Sequence, residues 1–253
     1  MATVGASGQS YDGLQAHISR IGAANASGRT ICLRPVAAFP VGDEVMAELD
    51  RMGQVASYRR GRTVTADGDM VSSLLKVISG ALRAVRLLPD GRRHIARFLA
   101  PGDFFGLAEI GAYSLMVEAI DNATVVHYPR DRFDALLEKD PQASRRFYSL
   151  MREELSAAHE QLLLLGRKNA LERMATFLLS MADRRSSSPS AGAAEVELPM
   201  GRADIADYLG LTIETVSRVL THLRSRRVID MPSAHRILFL DRECLEEIGA
   251  GEI

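Results

Sequence analysis

At Pro129 the hydrophobic pattern of this chain changes period. Before it, from Val55 to Tyr128, short apolar runs are cut by the dipeptides Arg60-Gly61, Asp67-Gly68, Asp90-Gly91 and Pro101-Gly102. Between these lie Met70–Ile78, Ala81–Leu88, His94–Leu99 and Ala123–Tyr128. Runs of this length at this spacing predict strands of an antiparallel sandwich or barrel. Asp-Gly between two such runs predicts a hairpin, because glycine supplies the positive φ of a tight turn. Beyond Pro129 the apolar residues recur about every 3.6 positions, the period of helices. An α+β chain follows, with an antiparallel sandwich or barrel first and helices after it. At 253 residues, 47 % hydrophobic and 25 % charged, it has material for a core and the length of one large or two small domains.

The helical half divides by residue chemistry. Asp131–Glu138 reads as a short helix, and Pro141 opens a longer one reaching about Leu165. Phe147, Met151, Leu155, Ala158, Leu162 and Leu165 recur along it at steps of three and four, a narrow seam near coiled-coil spacing. Spacing alone fits either a core helix against its own sheet or a seam against a second chain. Residues 169–182 form another amphipathic helix, followed by the Ser/Ala/Gly/Pro loop Ser186–Ala194. Upstream of the strands, Asp43–Met52 predicts a short helix with Val45, Met46 and Leu49 on one face. Fifteen of residues 1–28 are Gly, Ala or Ser, which predicts a mobile or weakly helical arm.

The stretch Leu198–Arg227 is the most informative. Ile205, Ala206 and Leu209 make the buried face of a short helix, and Gly210 follows where a chain leaving a helix needs a left-handed residue. Thr212 suits an N-cap, and Val216, Val219, Leu220 and Leu223 make the inner stripe of a second helix. Short helix, glycine turn and second helix with a polar leading edge is the helix-turn-helix pattern. Glu214, Thr215, Ser217 and Arg218 lie on that edge, and such side chains suit base edges: Arg donates twice to guanine, Glu accepts from cytosine. Arg202 opens the first helix, within reach of a phosphate. Ile229 and Ile237–Leu240, separated by Pro232-Ser233, predict a wing.

Charge restricts the partner. Lys plus Arg is 31 and Asp plus Glu is 32, a net of −1, so bulk charge argues for neither nucleic acid nor membrane. Residues 169–253 carry 10 Arg, no Lys and 13 acidic residues, yet Arg218, Arg224, Arg226 and Arg227 face Glu214 alone within Thr212–Arg227. A small basic face on an acidic body implies weak binding to random DNA and reliance on base contacts and dimerisation.

These residues resemble the CRP/FNR superfamily of transcription factors. PMGRADIADYLGLTIETVSR is similar to the FNR and FixK branch, whose base-reading triplet Glu-x-x-Ser-Arg falls on Glu214, Ser217 and Arg218. Residues 45–128, with PGDFFG at Pro101–Gly106, resemble the family's jelly-roll, cyclic-nucleotide-binding-like domain, and 141–165 its dimerisation helix. The likeness spans about residues 35–245. It implies an arm at 1–28, a β-roll at 29–140, a dimerisation helix at 141–166 and a winged helix-turn-helix domain at 167–253. It also implies a homodimer on a TTGAT–N4–ATCAA-like palindrome of double-stranded DNA. Arg202, Thr212, Glu214, Thr215, Ser217 and Arg218 are the implied DNA contacts. RNA polymerase is the implied partner, met through surface loops in positions matching Arg184–Ala194 and Pro89–Arg92.

The departures from the family pattern matter as much. Tyr113-Ser114 stands where cyclic-nucleotide-binding members carry Arg-Ser, so Glu109 remains without a cation for the phosphate. Two cysteines, Cys32 and Cys244, lie far apart and cannot supply a four-cysteine iron–sulfur site. The expectation is a FixK-like activator of microaerobic or nitrogen-oxide-related genes with no bound cofactor and no metal. A haem- or small-ligand-gated sensor is the alternative, with His94 and His159 among its six histidines. No Gly-x-Ser-x-Gly, Gly-x-Gly-x-x-Gly, Walker or His-Glu-x-x-His motif supports an enzyme. No apolar run nears the ~18 residues of a membrane span and no secretory signal opens the chain, which predicts a cytoplasmic protein without a membrane partner.

Overall fold

The computed structural model describes residues 44–184 and 195–252. The arm 1–28, the helix start at Asp43, Cys32 and the loop Ser186–Ala194 lie outside the described residues. The chain begins with α1 (Glu44–Met52) and continues through eight strands. β1 (Gln54–Tyr58), β8 (Ala123–Pro129), β3 (Ser73–Ser79) and β6 (Phe104–Phe105) form one antiparallel sheet in that order. β2 (Thr63–Thr65), β7 (Met116–Ala119), β4 (Leu82–Leu87) and β5 (Arg93–Leu99) form the second. Gly61, Gly68, Gly91 and Gly102 all have positive φ, as the turn dipeptides require. Met70 belongs to no strand: it is 83 % exposed and makes an isolated bridge to Ala112.

Alternation sorts each strand between two cores. Leu75, Val77 and Val125 enter the space between the sheets with Leu82, Ala84, Phe105 and Val117. Their neighbours Leu74, Val126 and Tyr128 point the other way and are covered by Leu49 and by Phe133 and Leu136 of α2 (Arg130–Lys139). Burial on both faces explains why these strands read as continuous apolar runs. On that outer side Tyr128 donates to Asp50 at 2.6 Å, and Lys76 lies 3.9 Å from the same carboxylate.

The outer face of the second sheet is covered by the C-terminal part of the chain, and a bulge arranges this. Ala84 pairs with Arg97 but Val85 pairs with Ile95, leaving Ala96 extra. The extra residue puts Ile95 and Phe98, three apart, on one face. Both pack into the C-terminal core with Val85.

α3 (Pro141–Arg167) is capped by Asp140, whose carboxylate accepts from the Gln142 N–H, with Pro141 at the first turn. α4 (Ala170–Asp183) opens with a reciprocal capping box between Asn169 and Glu172. α5 (Arg202–Leu209), α6 (Ile213–Ser225) and α7 (Arg242–Ala250) follow, with a three-stranded sheet of β10 (Ile229–Ser233), β11 (Arg236–Phe239) and β9 (Glu195–Glu197). The wing prediction holds, except that Pro232 and Ser233 end β10 rather than separating the strands. β9 and α7 join this sheet and core without having been anticipated.

Candidate nucleic-acid interface

The helix pair is built from local rules. Gly210 caps α5 with φ 62° and ψ 40°, the left-handed conformation expected there. Thr212 caps α6, its hydroxyl accepting from the Thr215 N–H at 3.2 Å. Val216, Leu220 and Leu223 are buried against Ile205, Ala206 and Leu209 in one core. The opposite edge of α6 carries the polar residues: Glu214 and Arg218 are exposed, and Thr215 and Ser217 are half-buried.

These polar groups are mutually bonded. Arg202 Nη1 donates to Ser217 Oγ at 3.1 Å, so the first residue of α5 reaches the middle of the reading edge. Arg218 Nη2 donates to Thr215 Oγ1 at 3.2 Å, and that oxygen lies 3.1 Å from Thr212 Oγ1. The chain of contacts holds the Arg218 guanidinium along the helix. Glu214 is held below the usual carboxylate range by its own backbone N–H and then by the Thr212 hydroxyl. Arg224, Arg226 and Arg227 are exposed at the far end of α6. Arg227 has φ 58°, the one non-glycine with positive φ among the described residues, and it turns the chain from α6 into β10.

The six residues of the expected dimer seam divide. Met151 (44 % exposed), Leu155 (57 %) and Leu162 (69 %) are open, and Ala158 beside them is exposed. Phe147 is not part of that face. It is 2 % exposed, edge-on to Phe133 at 4.8 Å and to Phe104 at 5.6 Å, inside the chain's own core. Its neighbour Tyr148, 66 % exposed, stands in the open stripe instead. Tyr148, Met151, Leu155, Ala158 and Leu162 then follow at steps of 3, 4, 3 and 4. Leu165 also turns inward, packing against the C-terminal core near Gly210.

α3, α4 and α5 are joined by Arg173. Its guanidinium donates to the carbonyls of Lys168 (2.8 Å), Leu209 (2.9 Å) and Leu165 (2.9 Å), satisfying acceptors at the ends of α3 and α5. Gln161 adds a bond to the Tyr208 carbonyl at 3.1 Å.

In the β-roll, Tyr113 is 3 % exposed, with its ring stacked on Phe105 at 5.9 Å and its hydroxyl donating to the Ser73 carbonyl at 2.5 Å. Ser114 donates from both its N–H and its hydroxyl to Glu109, each at 2.9 Å. The position expected to hold a phosphate-binding arginine is thus filled by an aromatic ring, and the acidic side chain is occupied by its own loop. A cleft of about 530 Å³ lies between β5, α3, α4 and α5, with His94, Arg97, Phe98, Glu154 and Tyr208 on its walls. His159 is exposed on α3, and Cys244 is half-buried in α7. No helix among the described residues is long and apolar enough to cross a membrane.

A β-roll joined by a long helix to a winged helix-turn-helix defines a class of transcription regulator, and known proteins agree. Residues 172–248 match the Crp-like helix-turn-helix domain, and residues 55–140 match the cyclic nucleotide-binding domain. The nitrogen fixation regulation protein FixK of Azorhizobium caulinodans is 40 % identical over 199 residues, covering 79 % of this chain and 80 % of that protein. The transcriptional activatory protein AadR of Rhodopseudomonas palustris is 40 % identical over 192 residues, covering 76 % of this chain and 80 % of its own length. The structure of FixK2 from Bradyrhizobium japonicum superposes with a TM-score of 0.72 at 38 % identity, covering 78 % of this chain and 96 % of that one. The chain belongs to the CRP/FNR family of helix-turn-helix transcription regulators. Within it the chain is FixK-like, and the relatives it matches are regulators rather than enzymes.

Proposed function

We propose that this FixK-like protein acts as a homodimer that reads a TTGAT–N4–ATCAA-like palindrome and activates transcription with RNA polymerase, in the cytoplasm and without a bound small cofactor. The carrying observation is the reading edge of α6, where Glu214 and Arg218 stand exposed with Ser217 between them. Glu214 and Ser217 face the A·T-rich part of each half-site, and Arg218 donates to the guanine. Thr212, Thr215 and Arg202 position these groups and touch the backbone phosphates. The open stripe Tyr148, Met151, Leu155, Ala158 and Leu162 supports the dimer, because five apolar or small residues at heptad spacing lie uncovered on one helix. Tyr113 supports the cofactor-free state, since its ring occupies the space between the sheets. By kinship with regulators named for nitrogen fixation, the genes are microaerobic or nitrogen-oxide-related.

The test is a gel-shift titration of aerobically purified protein on the TTGAT–N4–ATCAA duplex beside a scrambled duplex, with and without cyclic AMP. A visible spectrum is recorded from the same sample. Selective binding by a colourless protein, unchanged by the nucleotide, is the expected result. A Soret band, or binding that appears only with a ligand, would replace the proposal with a gated sensor.

A further inference from the structure

α5 is held from the β-roll side by a cluster of charges. Arg83 of β4 donates from Nε to Glu118 of β7 at 2.9 Å and from Nη1 to Asp204 of α5 at 2.6 Å. Arg93 of β5 donates from Nη2 to the same Asp204 oxygen at 2.9 Å, and from Nε and Nη2 to Asp207 at 3.0 and 2.9 Å. Asp204 is 8 % exposed, one of few buried charged residues in the described chain. Beside this cluster the contact is apolar: Phe98 of β5 lies 5.2 Å from the Tyr208 ring and 6.4 Å from Phe177. The first helix of the reading pair is therefore fastened on one flank to the β-roll and at its end to α3 through Arg173.

A buried carboxylate shared by two guanidinium groups is a demanding arrangement. Taking these charges out of water is costly, and only close geometry compensates for it. Asp204 accordingly confines α5 to one placement against β4 and β5. α5 and α6 share one core, so the placement of α5 sets that of the recognition helix. In a dimer joined through α3, the two recognition helices must also meet half-sites about one helical turn apart. Adding one base pair between half-sites moves them apart by roughly 3.4 Å and turns one about the axis by roughly 35° relative to the other. A reading pair held at three points cannot follow such a change; one held only through its linker can.

We propose that the Arg83, Arg93, Asp204 and Asp207 brace is a specificity determinant for half-site spacing. This rests on the reading of the protein as a dimer on a palindrome. The four residues touch no base. They act through the orientation of α6, so their loss relaxes the choice of spacer while leaving the choice of bases alone.

The experiment measures affinity for duplexes with the same half-sites and spacers of about three to six base pairs, together with one duplex whose half-site guanine is changed. Full-length wild type is compared with Asp207→Asn, Arg93→Gln and Arg93→Lys. Asp207 has a side chain 30 % exposed, so its variant removes charge without stranding a buried carboxylate. Circular dichroism and sedimentation are recorded for each protein. Wild type is expected to favour one spacer. Asp207→Asn and Arg93→Gln should lower that preference by about tenfold, within the usual range of coupling between separate sites. The penalty for the changed guanine should stay as in wild type. Arg93→Lys, which keeps the charge but not the fork that spans two carboxylates, should fall between. Folded, dimeric variants that sort the spacers as wild type does would overturn the brace alone. A wild type that is monomeric, or that sorts no spacers, would overturn the palindrome reading and the brace with it.

Discussion

Arg218 stands at the exposed edge of α6 with its guanidinium steered by the Thr215 hydroxyl. Its removal should separate specific from random binding. Arg218→Ala is expected to cost about 1–3 kcal/mol on the palindrome and little on scrambled DNA, read by fluorescence anisotropy on both duplexes. Equal losses on the two would reduce Arg218 to a phosphate contact. His127 offers a second residue-scale test. Its Nε2 lies 2.9 Å from the Tyr58 hydroxyl and its Nδ1 3.3 Å from Ser73 Oγ, and burial lowers its pKa below 6.5. As pH falls through 6.5 the unfolded chain takes up a proton that the folded imidazole does not. Stability attributable to this group is therefore full above that pH and declines down to the lowered folded value. Thermal unfolding from pH 8 to 5 should show a slope that is shallower in His127→Gln; parallel profiles would assign the slope to other groups. Features at this scale were legible in the sequence where their cause was local. Gly210 and Thr212 answer to cap chemistry contained within a few residues. The Arg202 bond to Ser217 crosses from one helix to another, and no spacing rule announces it.

At the scale of elements, α3 shows how one expected stripe divides between two faces: Met151, Leu155, Ala158 and Leu162 are exposed, and Phe147 and Leu165 turn inward. Two stripes run along it, the outer at steps of three and four, the inner at four and three before a gap to Leu164. Ala143, Phe147, Leu150 and Leu164 face the chain's own cores, and Tyr148, Met151, Leu155, Ala158 and Leu162 face outward. Phe147 and Tyr148 are adjacent in sequence, so one step around the helix separates a core residue from an exposed one. Spacing predicted a seam but could not choose between two stripes of equal period. Substitutions tell them apart. Leu155→Glu should yield a monomer by sedimentation with little change in thermal stability, because an exposed residue gains a charge. Phe147→Ala should cost about 3–5 kcal/mol in stability by denaturant unfolding while the folded fraction remains dimeric. If Leu155→Glu still sediments as a dimer, the interface lies elsewhere. The β-roll strands divided in a similar way. The long runs were readable, but β1, β2 and β7 were not, because their alternation is short and half-polar.

Across the whole molecule, the β-roll, the long helix and the winged domain are held together by contacts between segments far apart in sequence. Arg83 reaches Asp204, 121 residues away, and Arg93 reaches Asp207 across 114. The bulge at Ala96 turns Phe98 toward Tyr208, and Arg173 gathers the carbonyls of two helix ends. The period change at Pro129, the turn glycines, the helix-turn-helix and the polar edge of α6 were all present in the order of residues, because each depends on neighbours within one or two turns. Charge arithmetic went as far as a small basic face on an acidic body. It could not reveal that Asp204 and Asp207 spend their charge on arginines of the β-roll. Nor could it show that Tyr113 fills the space between the sheets, or which stripe of α3 stays exposed. Those outcomes depend on which surfaces close over which once the chain has folded. A periodic pattern states that a face is apolar; it is packing between distant segments that decides what covers it.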